Sequence, residues 1–209
     1  MRSLILATIL VSALSIIAVP ANSSPAGFQQ VPEPATVPNP TRIQVIDFFW
    51  YGCPYCNLFE PQLESWLDSK PDNVDFIRIP AVIRPGWSYH ARAFYTAEAL
   101  GVLDTLHSQL FTAIHEEDQD LNDMDELSRV FADQGIERAR FEEAFNSAAV
   151  NRKVQEAGTL TRRYGIDSVP AIVVNGQYRT NPVLAGGASR ILNAVNELIA
   201  SDQEYPAGP

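Results

Sequence analysis

The stretch Ile43-Gln44-Val45-Ile46-Asp47-Phe48-Phe49-Trp50-Tyr51-Gly52-Cys53-Pro54-Tyr55-Cys56 decides the fold. Ile43 to Trp50 is almost continuously apolar and rich in β-branched and aromatic residues, the pattern of a strand covered on both faces. Just beyond Cys56, Phe59, Leu63, Trp66 and Leu67 recur at helical spacing. The passage therefore reads as buried strand, turn and helix, with both cysteines of the chain at the turn. Pro54 suits a first helical position, where its missing N–H would have had no partner. That places Cys53 at a helix N-terminus, where free N–H groups and the helix dipole favour a thiolate. Cys56, one turn further on, is expected to face the protein and be shielded, leaving Cys53 as the exposed, reactive sulfur.

Working outward, Val74 to Ile79 reads as a second strand. From about Ser88 to Tyr164 the periodicity is helical, with Ser88 and Asp104 as expected N-caps and Gly101, Gly135 and Gly165 as stops. Leu106, Leu110 and Ile114 form one apolar stripe, and Leu127, Val130 and Phe131 another. The acidic run from His115 to Glu126 reads as a solvated loop. Ala171 to Val174 is a short strand, and Asn175-Gly176 a hairpin turn into Gln177 to Thr180. Gly186-Gly187 precedes a last helix carrying Ile191, Leu192, Val195, Leu198 and Ile199. There is no internal repeat. Towards the N-terminus, Met1-Arg2 is followed by an apolar run, Ser3 to Val19, ending at Val19-Pro20-Ala21. This predicts a signal peptide over residues 1–21, since the run is shorter than the roughly 20 residues that cross a bilayer. Residues 22–41 read as an extended Pro-rich leader with no core of its own, in which Phe28 to Val31 is a candidate edge strand.

Composition limits the function. With 209 residues, 46% hydrophobic and 19% charged, the chain can bury a core without a metal or disulfide. A formal charge of −10 argues against nucleic acid or an anionic membrane as the main partner. Two cysteines three apart would close a loop too small to stabilise the fold much, so in an oxidising compartment they point to a redox couple. Zinc would need two further ligands, and His90, His107 and His115 lack metal spacing. A calcium loop starting at Asp118 fails because Asp123 and Arg129 stand where Gly and Glu are required. No metal and no cofactor are expected.

Three further positions bear on the pair. Asp47, six residues before Cys53, is the lone acid in the apolar strand; burial raises such a pKa and suits a proton acceptor for Cys56. Val169-Pro170 precedes the Ala171 strand, where a cis bond would turn the backbone toward the sulfurs. Pro61 reads as a structural kink in the helix. Trp50, Tyr51 and Tyr55 are candidates for an apolar rim.

These residues together resemble the thioredoxin fold. The intervening Phe131-Ala132-Asp133-Gln134-Gly135-Ile136 and Phe141 to Ser147, with Ser168 to Tyr178, narrow the resemblance to the DsbA family of periplasmic thiol-disulfide oxidoreductases. It runs from about Gln44 to the last helix. It implies an α/β chain, a thioredoxin fold with an inserted all-helical domain: first half over residues 42–86, insertion over 87–164, second half over 165–209. Carried over, Cys53 is the nucleophile, Cys56 the buried partner, Asp47 the buried acid and Pro170 the cis-proline. Val169, Tyr55 and Pro54 would contact substrate. The resemblance also implies unfolded or reduced exported proteins as substrates, a DsbB-type inner-membrane reoxidase and a periplasmic location. The chain is expected to be a monomer that binds no nucleic acid. Two departures stand out: Pro54-Tyr55 lacks the His usual between the cysteines, and the buried acid is Asp rather than Glu. The missing imidazole implies a milder oxidant than a His-containing relative. A disulfide isomerase or thiol reductase using the same pair is the alternative; a non-enzymatic holdase is a weaker one.

Overall fold

The computed structural model describes residues 27–204 apart from Pro38 and Pro40, with side chains through Ser201. The expected signal peptide and the first part of the leader lie outside the described residues. Five strands form one sheet: β1 (Gln29–Gln30), β2 (Ile43–Phe49), β3 (Val74–Pro80), β4 (Ala171–Val174) and β5 (Tyr178–Thr180). Their order is β1-β5-β4-β2-β3, with β2 parallel to β3 and antiparallel to β4. β2 is thus flanked on both sides, and its almost continuously apolar sequence follows from burial on both faces.

Side chains alternate across a strand. On β2, Ile46 and Phe48 enter one buried cluster, while Ile43 and Val45 enter another. The second cluster is closed by α1 (Pro54–Leu67), through Phe59, Leu63 and Trp66, and by the C-terminal helix α8 (Ile191–Glu204), through Ile191, Val195 and Leu198. The Trp66 indole N–H donates to Asn196 Oδ1 at 2.9 Å and ties these two helices together. The first cluster is closed by five helices between the halves of the sheet: α2 (Ser88–Leu100), α3 (Leu103–His115), α4 (Met124–Ala132), α5 (Arg138–Phe145) and α6 (Ala148–Arg163). Leu106, Leu127, Phe131 and Phe141 within them are fully buried. Each such side chain contributes roughly 1.5–3 kcal/mol on leaving water. The fold is therefore the expected thioredoxin-like sheet with a helical insertion.

The turn Asn175-Gly176 has positive φ at both residues, 50° and 61°, the backbone that a tight hairpin demands. Asn175 also extends the sheet, its side-chain oxygen accepting the Gln44 N–H at 2.8 Å.

Several local expectations differ. Ser88 and Asp104 do not cap: α2 begins at Ser88 itself, and Asp104 lies inside the first turn of α3. Side-chain caps come instead from Asp123, Ser147 and Asn181, whose oxygens accept the N–H of Glu126, Val150 and Leu184. The acidic loop is shorter than expected, because His115 ends α3 and Glu126 belongs to α4; within it Leu121 is fully buried. The short helix α7 (Pro182–Ala185) was not anticipated. The leader shares the main core: β1 pairs with β5, and Phe28 and Val31 are buried in the two clusters.

Candidate active site

The cysteine pair sits where β2 delivers the chain into α1. Cys53 flanks the helix in an extended conformation, with Pro54 as its first residue. Helix geometry aims the N–H groups of Tyr55 and Cys56 at the Cys53 sulfur. Both cysteines are free. Cys56 is 2% exposed and Cys53 8%, so the outer sulfur is largely covered too; it is the more accessible of the two rather than an exposed one.

The two thiols are driven apart. The Cys56 thiol hydrogen-bonds to the Cys53 sulfur and, with the Cys56 and Tyr55 backbone N–H groups, lowers the Cys53 pKa to about 6 against the opposing effect of burial. Burial pushes the Cys56 thiol well up, reinforced by its bond to Cys53 and by the charges of Cys53 and Asp47. One sulfur is thus prepared as an anion and the other as an acid, a separation that marks reactive sites.

The loop before β4 completes the site. The Val169–Pro170 peptide bond is cis. The Val169 carbonyl lies 3.5 Å from Cys53 Sγ and accepts from it when protonated. Asn181 Nδ2 donates to Ser168 Oγ at 3.3 Å beside that loop. On the outer surface Tyr55 and Leu58 are 66% and 68% exposed, as expected of a rim for Tyr55. Tyr51 is not a rim residue: it is fully buried. Trp50 is half-buried and stacks on Trp87, with centroids 4.2 Å apart and planes 5° from parallel.

Asp47 is 1% exposed, and neither carboxylate oxygen has a hydrogen-bond partner. Burial, aided by the charge of Glu60 and opposed by that of Arg78, pushes its pKa well above the carboxylate range. Arg78 stands beside Asp47 in the β2–β3 register and is 3.1 Å from Glu60. It also pairs with Glu64. His107 Nε2 lies 3.3 Å from Glu60 Oε1, and its Nδ1 2.8 Å from the Tyr51 hydroxyl. A carboxylate only accepts, so the Nε2–H donates to Glu60, while Nδ1 accepts from the Tyr51 hydroxyl when the ring is neutral. Burial pushes Glu60 up, but the bond and field of His107, with Arg78, hold it below its usual value.

Glu60, Arg78 and His107 were not singled out in the sequence as members of this site, and Tyr51 was read only as a rim candidate. The signals existed. Glu60 is one helical turn after Cys56, and Arg78 falls opposite Asp47 once the strands pair in register. His107, Phe111 and His115 recur every fourth residue, on one face of α3.

Residues 44–198 match the model of the DSBA-like thioredoxin domain. The thiol:disulfide interchange protein DsbA of Pseudomonas aeruginosa is 35% identical over 206 residues, covering 97% of this chain and 98% of that protein. The protein of the same name from Azotobacter vinelandii is 37% identical over 211 residues, covering 97% and 99%. The crystal structure of Pseudomonas aeruginosa DsbA superposes with a TM-score of 0.79 at 34% identity, covering 86% of this chain and 93% of that one. With its fold, its cysteine pair and its near full-length similarity to these relatives, the chain belongs to the DsbA-like thioredoxin-domain family.

Proposed function

We propose that the protein is a thiol-disulfide oxidoreductase that introduces disulfide bonds into exported proteins, with Cys53 as nucleophile and Cys56 as its resolving partner. The observation that carries this reading is the opposed ionisation of the two sulfurs, with Cys53 near pKa 6 and Cys56 pushed upward. At neutral pH roughly nine-tenths of Cys53 is then thiolate. A stabilised thiolate favours the dithiol form and therefore electron flow into the enzyme.

In the oxidised enzyme the pair forms a disulfide. A client thiolate attacks Cys53 Sγ, the Cys53–Cys56 bond breaks, and Cys56 leaves, taking a proton from Asp47. The buried carboxyl is suited to that role because its raised pKa keeps a proton available. The client's second thiolate then attacks the client sulfur of the mixed disulfide, its own S–S bond forms, and Cys53 departs as thiolate. The client loses two electrons and the pair gains them. Clients lie along Val169 and Pro170, whose backbone borders Cys53, and against Pro54 and Tyr55. Main-chain pairing there suits many clients, because it reads no particular side chain.

The site of action is the periplasm after loss of residues 1–21, the protein acts as a monomer, and a DsbB-type membrane partner reoxidises it. Among the described residues no helix is long and apolar enough to cross a membrane. The test is the equilibrium of the pair against glutathione, run with a reduced unfolded client. An oxidising potential, with client oxidation abolished in Cys53→Ser, is expected. A potential near that of cytosolic thioredoxins would make the protein a reductase, and client protection surviving Cys53→Ser would make it a holdase.

A further inference from the structure

The three histidines of the chain, scattered in sequence, converge around Tyr51, two residues before Cys53. His107 Nδ1 lies 2.8 Å from the Tyr51 hydroxyl. His90 lies edge-on to the Tyr51 ring at 6.3 Å and spends its Nε2–H on the Asp120 carbonyl at 3.0 Å. His115 is different: its Nε2 lies 2.7 Å from the Tyr51 backbone carbonyl, which can only accept, so the imidazole donates.

That carbonyl belongs to the peptide joining Tyr51 to Gly52. The Trp50 ring as placed leaves room only for glycine at position 52, since a Cβ there would stand 2.4 Å from a ring carbon. A glycine is also the residue least able to hold its own backbone. The turn into Cys53 is otherwise closed by the Cys53 N–H to the Trp50 carbonyl at 3.0 Å. The restraint that Gly52 cannot supply comes from another element. His115 is the last residue of α3, and its ring stacks on Phe111 at 6.1 Å. Phe111 in turn meets the Tyr51 ring edge-on at 5.0 Å. Imidazole, aromatic ring and carbonyl are thus fixed relative to one another.

We propose that His115 is a positioning residue for exchange at Cys53, its Nε2–H bond to the Tyr51 carbonyl fixing the turn that holds the Cys53 sulfur over the N–H groups of Tyr55 and Cys56. The inference rests on the proposed exchange reaction at Cys53. Without this bond a buried carbonyl loses its partner, the turn loosens, and the sulfur drifts from its donors. The thiolate is then less stable and a poorer leaving group.

The experiment compares wild type, His115→Leu and His115→Gln in the full mature chain. Thiolate absorbance titrates Cys53 in the dithiol form, and glutathione buffers give the equilibrium of the pair. In His115→Leu the Cys53 midpoint is expected to rise by about one unit, and the equilibrium at pH 7 to move about fivefold toward the disulfide. His115→Gln, whose amide N–H can reach the same carbonyl, should return both to within about twofold of wild type. An unmoved Leu variant overturns the proposal, as does a Gln variant displaced as far as Leu. Should the Leu variant fail to fold, nitrogen NMR of the wild-type dithiol decides: an Nε2–H tautomer with a slowly exchanging proton supports the role, and an Nδ1–H tautomer overturns it. A wild-type pair inert toward glutathione removes the reaction itself, and the proposal with it. Normal wild-type exchange beside an unmoved Leu variant removes only the role of His115.

Discussion

At the residue scale, the ionisation of three side chains makes testable statements. Cys53 has a folded pKa of about 6, below an unfolded thiol near 8.5. In that window the unfolded chain binds the extra proton, so the stability of the dithiol form rises with pH. The contribution is complete above about pH 8.5 and is lost as pH falls through about 6. Cys56, shifted upward, acts in the opposite sense only above the ordinary thiol range. Denaturant titrations of the dithiol and disulfide forms should therefore diverge between pH 6 and 8.5; parallel curves would count against the thiolate. Asp47 behaves oppositely, because its raised pKa costs stability once the unfolded carboxyl ionises. Asp47→Asn should stabilise the fold at pH 7 by about 1–3 kcal/mol, with no gain near pH 3, while slowing release of Cys56. Urea unfolding at the two pH values, with stopped-flow reduction, checks both halves of that statement. Cys53, Cys56 and Asp47 were legible in the sequence because each is a polar residue at a place where composition alone predicts apolar burial or a helix start. Tyr51 was not, since a tyrosine beside a core strand packs inward or lines a rim with equal ease.

At the element scale, helix starts were less legible than helix stripes. The apolar stripes of α3 and α4 follow from a period that burial enforces, whereas Ser88 and Asp104 carry cap-forming side chains without occupying cap positions. A cap depends on the backbone just outside the helix, which residue type does not determine. The placing of Arg78 beside Asp47 needed the strand register, a tertiary quantity. Two substitutions test how tightly elements fit around the site. Leu110→Ala empties a fully buried position of α3 and should cost about 2–5 kcal/mol by urea denaturation. Gly52→Ala cannot be accommodated unless the Trp50 ring moves, so it should break the Trp50–Trp87 stack. Near-ultraviolet circular dichroism would register the loss, and an unchanged aromatic spectrum would contradict the packing described.

At the scale of the whole molecule, the sheet separates two cores that share β2. The N-terminal segment reaches both, Phe28 on one side and Val31 on the other. A segment that reads as a linker by its prolines is thus a structural strap, which its composition concealed. Phe28→Ala should destabilise the molecule by about 3–5 kcal/mol by thermal or urea unfolding, an effect absent if the segment were a free leader. The general architecture was readable because strand, helix and strand patterns alternate around a long helical stretch. The convergence of the histidines was not, because it depends on how α2 and α3 dock.

The Val169 carbonyl that borders Cys53 lies 116 positions later in the chain. A polypeptide made at about 5–20 residues per second delivers Cys53 and Cys56 roughly 6–23 s before that partner exists. For that interval the newborn chain carries two unshielded, ordinary sulfhydryls, and is chemically indistinguishable from the clients it will later serve.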